Sequence, residues 1–363
     1  MEMKKKIFFI WHWQKKLVPE GGGAMLAVED STVYAARRLS DFFDVRIVTL
    51  SDFCYGSYQS HTQSLSYYFC RTKKEILQYL ALEKPDVLFL NHHSFPYDDF
   101  LQGVSSMRCI KLLYYSSAIS YTLKDYLKIS YSNRSLKKSV GRYHRCVDYH
   151  LVDHDFQKKQ LAARIYIDQS RIIVAPKPAN EKIFRPNIDE PKRWDCIYPS
   201  RGSEGYWKRP ELAIRATARA GKTLVMPGAR LKREYPHVTT FAGWQSPEEV
   251  ARLYNQSRCL LTTTNYREMG PRIILEAAAC NIPVVCCDDS PAAVSHVWRV
   301  GGFVAKPDPD DLAKKILLAT NTIVNTREQL VRLGYTYDFT FRAIRDILLH
   351  EGILSSDEYV SRF

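Results

Sequence analysis

One feature constrains the fold of this chain more than any other. Short apolar, β-rich runs alternate with longer amphipathic stretches, and the series runs twice, on either side of a proline-rich segment. In the first series the runs Lys6–Trp11, Val45–Leu50, Asp86–Leu90, Ile110–Tyr115, Tyr149–Val152 and Arg171–Val174 read as strands. Ala24–Leu39 and Glu75–Leu82 read as helices between them. Such alternation is the mark of a parallel sheet with crossover helices, and the crossovers should be right-handed. Pro176, Pro178, Pro186 and Pro191 then interrupt any helix, which places a domain linker across Pro176–Lys192. The pattern restarts with strands Asp195–Tyr198, Thr223–Met226, Val238–Phe241, Cys259–Thr263 and Pro283–Cys287, and helices Pro210–Ala220, Pro247–Tyr254 and Pro271–Ala279. Two α/β domains in tandem follow, as 363 residues allow. Open α/β sheets bind ligands beyond the carboxyl ends of their strands, so residues just after strands rank first as site candidates.

Composition narrows the partners. No apolar run reaches the roughly 18 residues of a membrane span. The basic start Met1–Lys6 followed by Ile7–Ile10 imitates a secretory leader, but it turns polar at His12 with no small-residue cleavage site, so it reads as a first strand. Nine cysteines include no C-x-x-C pair, which argues against metal ligation and for free thiols in a cytoplasmic protein. Lys plus Arg exceeds Asp plus Glu by 52 to 39, a net charge of +13. That surplus attracts nucleic acid, an acidic membrane or phosphorylated small molecules, and by itself does not choose among them.

Several loops after strands carry chemistry. Glu268 and Glu276 lie eight residues apart and bracket Gly270, Pro271 and Arg272. Gly270 and Pro271 suit a turn and a first helical position. Free N–H groups there would face an anion, aided by the helix dipole, and a carboxylate at Glu276 would accept two sugar hydroxyls. The plain alternative is a pair of ordinary helix-start and helix-surface glutamates. Arg201 follows the strand Asp195–Tyr198, and Lys208 opens the next helix across the loop Gly202–Gly205. Two cations at such a mouth suit a diphosphate; two solvated cations are the bland alternative. Gly21-Gly22-Gly23 follows the first strand without a dinucleotide fingerprint and permits close backbone approach. His92 and His93 follow a later strand and would otherwise be a hydrated polar pair.

Together these features resemble the retaining glycosyltransferases of family 4, which have the GT-B fold. The E-x(7)-E motif and the small-residue helix and strand beyond it read Glu268 through Ala279 to Pro283-Val284-Val285 here. Phe241-Ala242-Gly243-Trp244 matches the upstream F-x-G-W segment, and Gly302–Pro307 loosely matches a late G-x-x-V-x-P strand. The likeness is close over 195–320 and holds only in outline over 1–190. It implies two Rossmann-like domains facing an interdomain cleft: 1–178 for the acceptor, 179–335 for the nucleotide-sugar donor, and a helix in 336–363 returning to the first domain.

The resemblance also implies roles. Arg201 and Lys208 hold the donor diphosphate, and Glu276 holds the nucleotide ribose. Gly270, Pro271 and Arg272 lie along the donor, and Gly22 and Gly23 allow close approach from the first domain. Glu268, His93 and His92 serve the transferred sugar. Stabilising charge on a departing nucleoside diphosphate is then the main catalytic task. Protein cations do that work, so neither a metal nor another cofactor is required. The expected reaction moves a sugar from a UDP- or GDP-linked donor to a glycan or lipid-linked glycan acceptor, with retained configuration, in polysaccharide biosynthesis. A nucleotide-sugar epimerase of the same fold and a non-catalytic basic binding protein are the competing readings. No helix-turn-helix, zinc-finger or RNA-binding signature supports a nucleic-acid partner.

Departures from the family pattern are local. The Arg201-to-Lys208 interval is long, so Arg209 is an alternative to Lys208, and Arg209-Pro210 stands where a glycine usually follows the lysine. Asn281 occupies a common glycine position, which asparagine's tolerance of left-handed backbone permits. Ser116-Ser117 replaces the family's usual histidine after Leu113-Tyr114-Tyr115, and His92 and His93 are the substitutes at hand. Residues 133–145 form a basic amphipathic helix on pattern, with Arg134, Lys138, Arg142 and Arg145 on one stripe. It is either a crossover helix with a solvated face or a surface for an anionic membrane, which would make the protein peripheral on the inner face. Arg327–Glu351 reads as one long C-terminal helix.

Overall fold

The structure is a computed structural model that describes residues 4–11, 31–50, 55–60, 65–91, 99–114, 146–165, 167–199, 207–231, 233–241, 243, 245–266, 268 and 270–360. Two compact units divide the chain. One comprises Met1–Asp153, Gln157–Ala175 and Asp338–Phe363; the other comprises His154–Phe156 and Pro176–Tyr337.

The first unit is built on an eight-stranded sheet. In chain order its strands are β1 (Lys6–Trp11), β2 (Asp44–Leu50), β3 (Gly56–Ser60), β4 (Leu65–Cys70), β5 (Val87–Asn91), β6 (Ile110–Tyr114), β7 (Tyr149–Val152) and β8 (Ile172–Val174). They lie side by side as β3-β4-β2-β1-β5-β6-β7-β8. All pairs are parallel except the edge strand β3, which runs antiparallel to β4. Among the described residues before its C-terminal segment, its helices are α1 (Ser31–Leu39), α2 (Lys73–Glu83), α3 (Asp99–Ser105) and, from Gln157 onward, α4 (Asp155–Ile165). Central strands are apolar on both faces, as a sheet covered on both sides requires. Ile7, Phe9 and Ile47 point to one core and Phe8, Ile10 and Val48 to the other.

The second unit is built on a six-stranded, wholly parallel sheet: β9 (Trp194–Ile197), β10 (Leu224–Pro227), β11 (Val238–Phe241), β12 (Ser257–Thr262), β13 (Val284–Cys287) and β14 (Phe303–Ala305). The spatial order is β11-β10-β9-β12-β13-β14, the doubly wound order 3-2-1-4-5-6. Its helices are α5 (Pro210–Arg219), α6 (Pro247–Asn255), α7 (Arg272–Ala279), α8 (Pro291–Val300), α9 (Pro309–Thr320) and α10 (Thr326–Arg332). Four of them open with proline, whose missing N–H and fixed φ suit the first turn. Ser246 and Asp308 cap two of these by accepting from backbone N–H groups of the first turn.

The C-terminal region departs from the single helix expected over Arg327–Glu351. Gly334, with φ +69°, ends α10 with a left-handed turn, and a separate helix α11 (Phe339–His350) follows, then α12 (Ser356–Val360). The residues belong to different units: α10 to the second, α11 to the first. Phe341, Ile344, Ile347 and Leu348 form the buried stripe of α11 and join Val33, Ala36 and Leu39 of α1 in one core. The C-terminal helix is therefore part of the first unit's interior, the arrangement of a GT-B fold.

Other expectations shift, several strand ends of the second unit by a residue or two. β3 and β4 were not evident as strands. The helix expected to begin at Pro271 begins at Arg272, with Pro271 in the capping position. The strand expected from Arg171 begins at Ile172 after a 3-10 turn over Gln169–Arg171. The basic stretch 133–145 and the first part of the helix expected over 24–39 lie outside the described residues. No helix among the described residues is long and apolar enough to cross a membrane.

Candidate donor site at a switch point of the second unit

In the second sheet the strand order reverses between β9 and β12. Loops leaving adjacent strands in opposite directions open a crevice at their carboxyl ends, the usual ligand position in such sheets. Lys208 lies on the loop after β9. Glu268, Gly270 and Pro271 lie on the loop after β12, and Arg272 and Glu276 on the helix it leads into. The fold thus brings four of the candidate residues to two neighbouring loops and two more to the helix that one of them opens. Arg201, Gly22, Gly23, His92 and His93 lie outside the described residues. The strands preceding them are known, though: Gly22 and Gly23 follow β1 and His92 and His93 follow β5, which are paired at the reversal point of the first sheet.

The two loops of the second unit are fastened together. The Asn265 N–H donates to the Trp207 carbonyl at 2.9 Å. The Thr263 hydroxyl lies 2.8 Å from the carbonyls of both Lys208 and Arg209. The buried Tyr198 phenol donates to the Lys208 carbonyl at 2.6 Å. Burial pushes the Tyr198 phenol well above its ordinary pKa, and the Glu268 carboxylate adds to the upward shift, so Tyr198 keeps its proton and remains a donor. The main chain of Lys208 is therefore fixed. Its ammonium makes no ion pair among the described residues.

Arg209 serves a different end from the one allowed for in the sequence. Its guanidinium donates to the Thr263 carbonyl (2.6 Å), the Thr264 carbonyl (3.0 Å) and both oxygens of Asp289 (2.7 Å each). Four of its five N–H donors are thereby engaged within the protein. Its backbone is left-handed, with φ 51° and ψ 54°, immediately before Pro210. For a residue with a Cβ this conformation costs about 1–2 kcal/mol, and the proline further disfavours helical backbone before it. The guanidinium bonds offset that cost.

Glu276 lies one turn into α7 and is only 8% exposed. Arg272 Nε donates to one carboxylate oxygen at 3.1 Å, and the Tyr254 phenol donates to the other at 3.3 Å. Burial, followed by the Glu276 charge, holds the Tyr254 phenol far above its ordinary pKa, so it too remains a donor. A carboxyl group so deeply placed is tolerated because both of its oxygens are hydrogen-bonded. Glu268 is half-buried, its N–H donating to the Asn265 carbonyl at 3.0 Å. Asn281 ends α7 with φ 57°, the left-handed turn expected of it. Sequence reasoning missed Tyr198, Thr263, Tyr254 and Asp289. Their contacts join residues from different strand ends, which spacing along the chain does not reveal.

Among the described residues no group of three or more His, Cys, Asp or Glu side chains could hold a metal ion.

Two Rossmann-like units, the first completed by a C-terminal helix, define the class as GT-B. Residues 202–336 match the family described as "Glycosyl transferases group 1", a match confined to the second unit. Three solved structures share the fold across nearly the whole chain. Sucrose-phosphate synthase from Thermosynechococcus elongatus is 13% identical, with 97% of this chain and 100% of that chain covered and a TM-score of 0.71. HepE from Anabaena, in complex with UDP and glucose, is 14% identical, with 95% and 99% covered and a TM-score of 0.67. The lipopolysaccharide outer core galactosyltransferase WaaB is 16% identical, with 95% and 99% covered and a TM-score of 0.66. No curated protein matches at the sequence level. The family match and the fold together support glycosyltransferase activity, with a nucleotide sugar as donor.

Proposed function

We propose that the chain is a retaining transferase of the family 4 type, moving a sugar from a UDP- or GDP-linked donor to a glycan or lipid-linked glycan acceptor. The observation that carries this reading is the buried Glu276 carboxylate, held from both sides by Arg272 and Tyr254 at a switch-point crevice whose other loop presents Lys208. A fixed acceptor pair suits the vicinal hydroxyls of a ribose, and a fixed cation suits the phosphates beyond it. In transfer, the bond from the sugar's anomeric carbon to the phosphate oxygen breaks. Its electron pair stays on the nucleoside diphosphate, and a hydroxyl of the acceptor forms the new bond on the same face while its proton passes to the departing phosphate oxygen. Arg201, Lys208 and the N-terminal turn of α7 at Gly270 and Pro271 take up the charge on the leaving phosphate. Glu268 contacts the transferred sugar, and His92 and His93 are the first unit's candidates for the same role. These cations make a metal unnecessary, so activity persists in EDTA.

HepE is described with UDP, and WaaB acts on lipopolysaccharide outer core, which favours UDP and a lipid-linked acceptor as first trials. The basic stretch 133–145 and the net charge of +13 support attachment to an anionic inner membrane face, which co-sedimentation with anionic vesicles tests. The decisive experiment is calorimetric titration with UDP, GDP and ADP, alongside Glu276→Ala and Arg201→Ala. One nucleotide binding to the wild type, weakened by both substitutions, is the expected result. No binding at millimolar concentration overturns the reading. An isomeric nucleotide sugar formed without acceptor would select an epimerase instead.

A further inference from the structure

The loops after β9 and β12 hold each other reciprocally. The Thr263 side chain grips the main chain of Lys208 and Arg209, while the Arg209 side chain grips the main-chain carbonyls of Thr263 and Thr264. Asp289, on the loop after β13, receives the rest of the guanidinium through two 2.7 Å bonds. Three consecutive strand ends, β9, β12 and β13, are thereby tied through one side chain. The clasp sits at a backbone position that would otherwise relax: Arg209 is left-handed, precedes proline and receives no side-chain cap. The residue whose main chain is clamped on the other side is Lys208, whose carbonyl also accepts from the buried Tyr198. Such a lock fixes where the Lys208 ammonium starts and removes the freedom that a phosphate would otherwise have to quench.

We propose that Arg209 and Asp289 form a positioning pair that pre-sets Lys208 for the donor's terminal phosphate. The pair acts through Lys208 without touching the donor. This rests on the reading of Lys208 as a diphosphate ligand. It makes the Arg209-Pro210 sequence a specific device of this chain, where a glycine would give the same turn without the lock.

The test uses the full chain with Arg209→Gly, Asp289→Ala, Lys208→Ala and the double variant Lys208→Ala/Arg209→Gly. Glycine keeps the left-handed turn at no steric cost and deletes only the clasp. Asp289→Ala leaves Arg209 in place and loosens it, which guards against a glycine variant that fails to fold. Affinities for UDP and UMP, and for GDP and GMP, are measured by calorimetry, with thermal unfolding in parallel. Arg209→Gly and Asp289→Ala should each weaken the diphosphate about tenfold, the scale of one charge-assisted bond. The monophosphate should change by no more than about twofold on the same scale. The double variant should bind the diphosphate no more weakly than Lys208→Ala, because the pair acts through that lysine. Additive losses in the double variant would mean that Arg209 acts independently, and overturn the proposal. Equal losses for mono- and diphosphate, or none, would reduce the pair to a structural tie and also overturn it. A wild-type chain that binds diphosphates while Lys208→Ala binds them equally well would instead defeat the role given to Lys208, and the positioning role with it.

Discussion

Replacing Glu276 by glutamine isolates the feature on which the donor reading depends. The carboxylate presents two anionic oxygens, one braced by Arg272 Nε at 3.1 Å and the other by Tyr254 at 3.3 Å. Glutamine is nearly isosteric but keeps one neutral acceptor and turns an NH2 group toward one of those donors. A hydrogen bond to a charged acceptor contributes about 1.5–3 kcal/mol. Losing one from the ribose should therefore raise Kd about 10- to 150-fold. Stability should fall by about 1–3 kcal/mol, because the buried carboxylate gives way to an amide whose NH2 group faces one of those two donors. The assay is calorimetry with the nucleoside diphosphate that the wild type binds and with its 2′,3′-dideoxy analogue, plus a melting curve for each protein. The ribose nucleotide should lose affinity on substitution, and the dideoxy analogue should not. A Kd within about twofold of wild type, or equal losses for both ligands, would refute the role of Glu276 as a ribose acceptor.

Other outcomes follow from the same geometry. Leu348→Ala, on the fully buried stripe of α11, should destabilise the first unit by about 2–5 kcal/mol in thermal or urea unfolding; a loss below about 1 kcal/mol would contradict the packing of α11 into that core. Asn281 takes φ 57° and its Oδ1 accepts from the Arg327 N–H at 3.3 Å, so Asn281→Ala should cost about 1 kcal/mol more than Asn281→Gly, which pays only for the lost acceptor; equal losses would refute the backbone argument. Burial, then the neighbouring charges of His154 and Arg299, holds the His296 pKa down to about 3, and burial holds His150 down to about 4. Both are neutral in the folded chain and gain protons on unfolding below about pH 6.5. Their contribution to stability is therefore complete above that pH and lost as pH falls toward 3 to 4, with a slope of up to about 1.4 kcal/mol per unit for each. Urea unfolding between pH 7.5 and 4.5 should show this acid limb, shallower in His296→Gln; an unchanged slope in that variant would count against it.

Much of the second unit was legible in the sequence because its strands are short, several are wholly apolar, and its helices are punctuated by proline. Val284–Cys287 and Leu224–Pro227 are buried at every position, so only their ends shifted by a residue. The edge strands of the first unit were not legible. β4 buries Leu65, Tyr67 and Phe69 on alternate positions, but tyrosine and serine dilute its apolar signal, and β3 reads Gly-Ser-Tyr-Gln-Ser. The break in the late helix was missed because Leu330, Tyr337, Phe341 and Leu348 keep a helical spacing straight through Gly334. The stripe persists although its two halves serve different cores. At the candidate site, spacing singled out Glu268, Glu276 and Lys208 as candidates, since each sits at a strand end or one turn into a helix. The partners that make the site rigid come from elsewhere in the chain: Tyr254 is 22 residues from Glu276, and Asp289 is 80 from Arg209. Only the tertiary structure joins them.

The return of α11 to the first unit has a consequence for how the chain is made. The second unit is drawn almost entirely from one stretch, Pro176–Tyr337, and has all its core residues once that stretch is synthesised. The first unit lacks Phe341, Ile344, Ile347 and Leu348 until Asp338–Phe363 has been synthesised. At about 5–20 residues per second the ribosome needs roughly ten to thirty seconds to cross the intervening stretch. Throughout that interval the inner surface of α1 and the neighbouring strands lacks its cover. The domain begun first is therefore the one finished last, and its unfilled groove makes the nascent N-terminal half a natural client for chaperones.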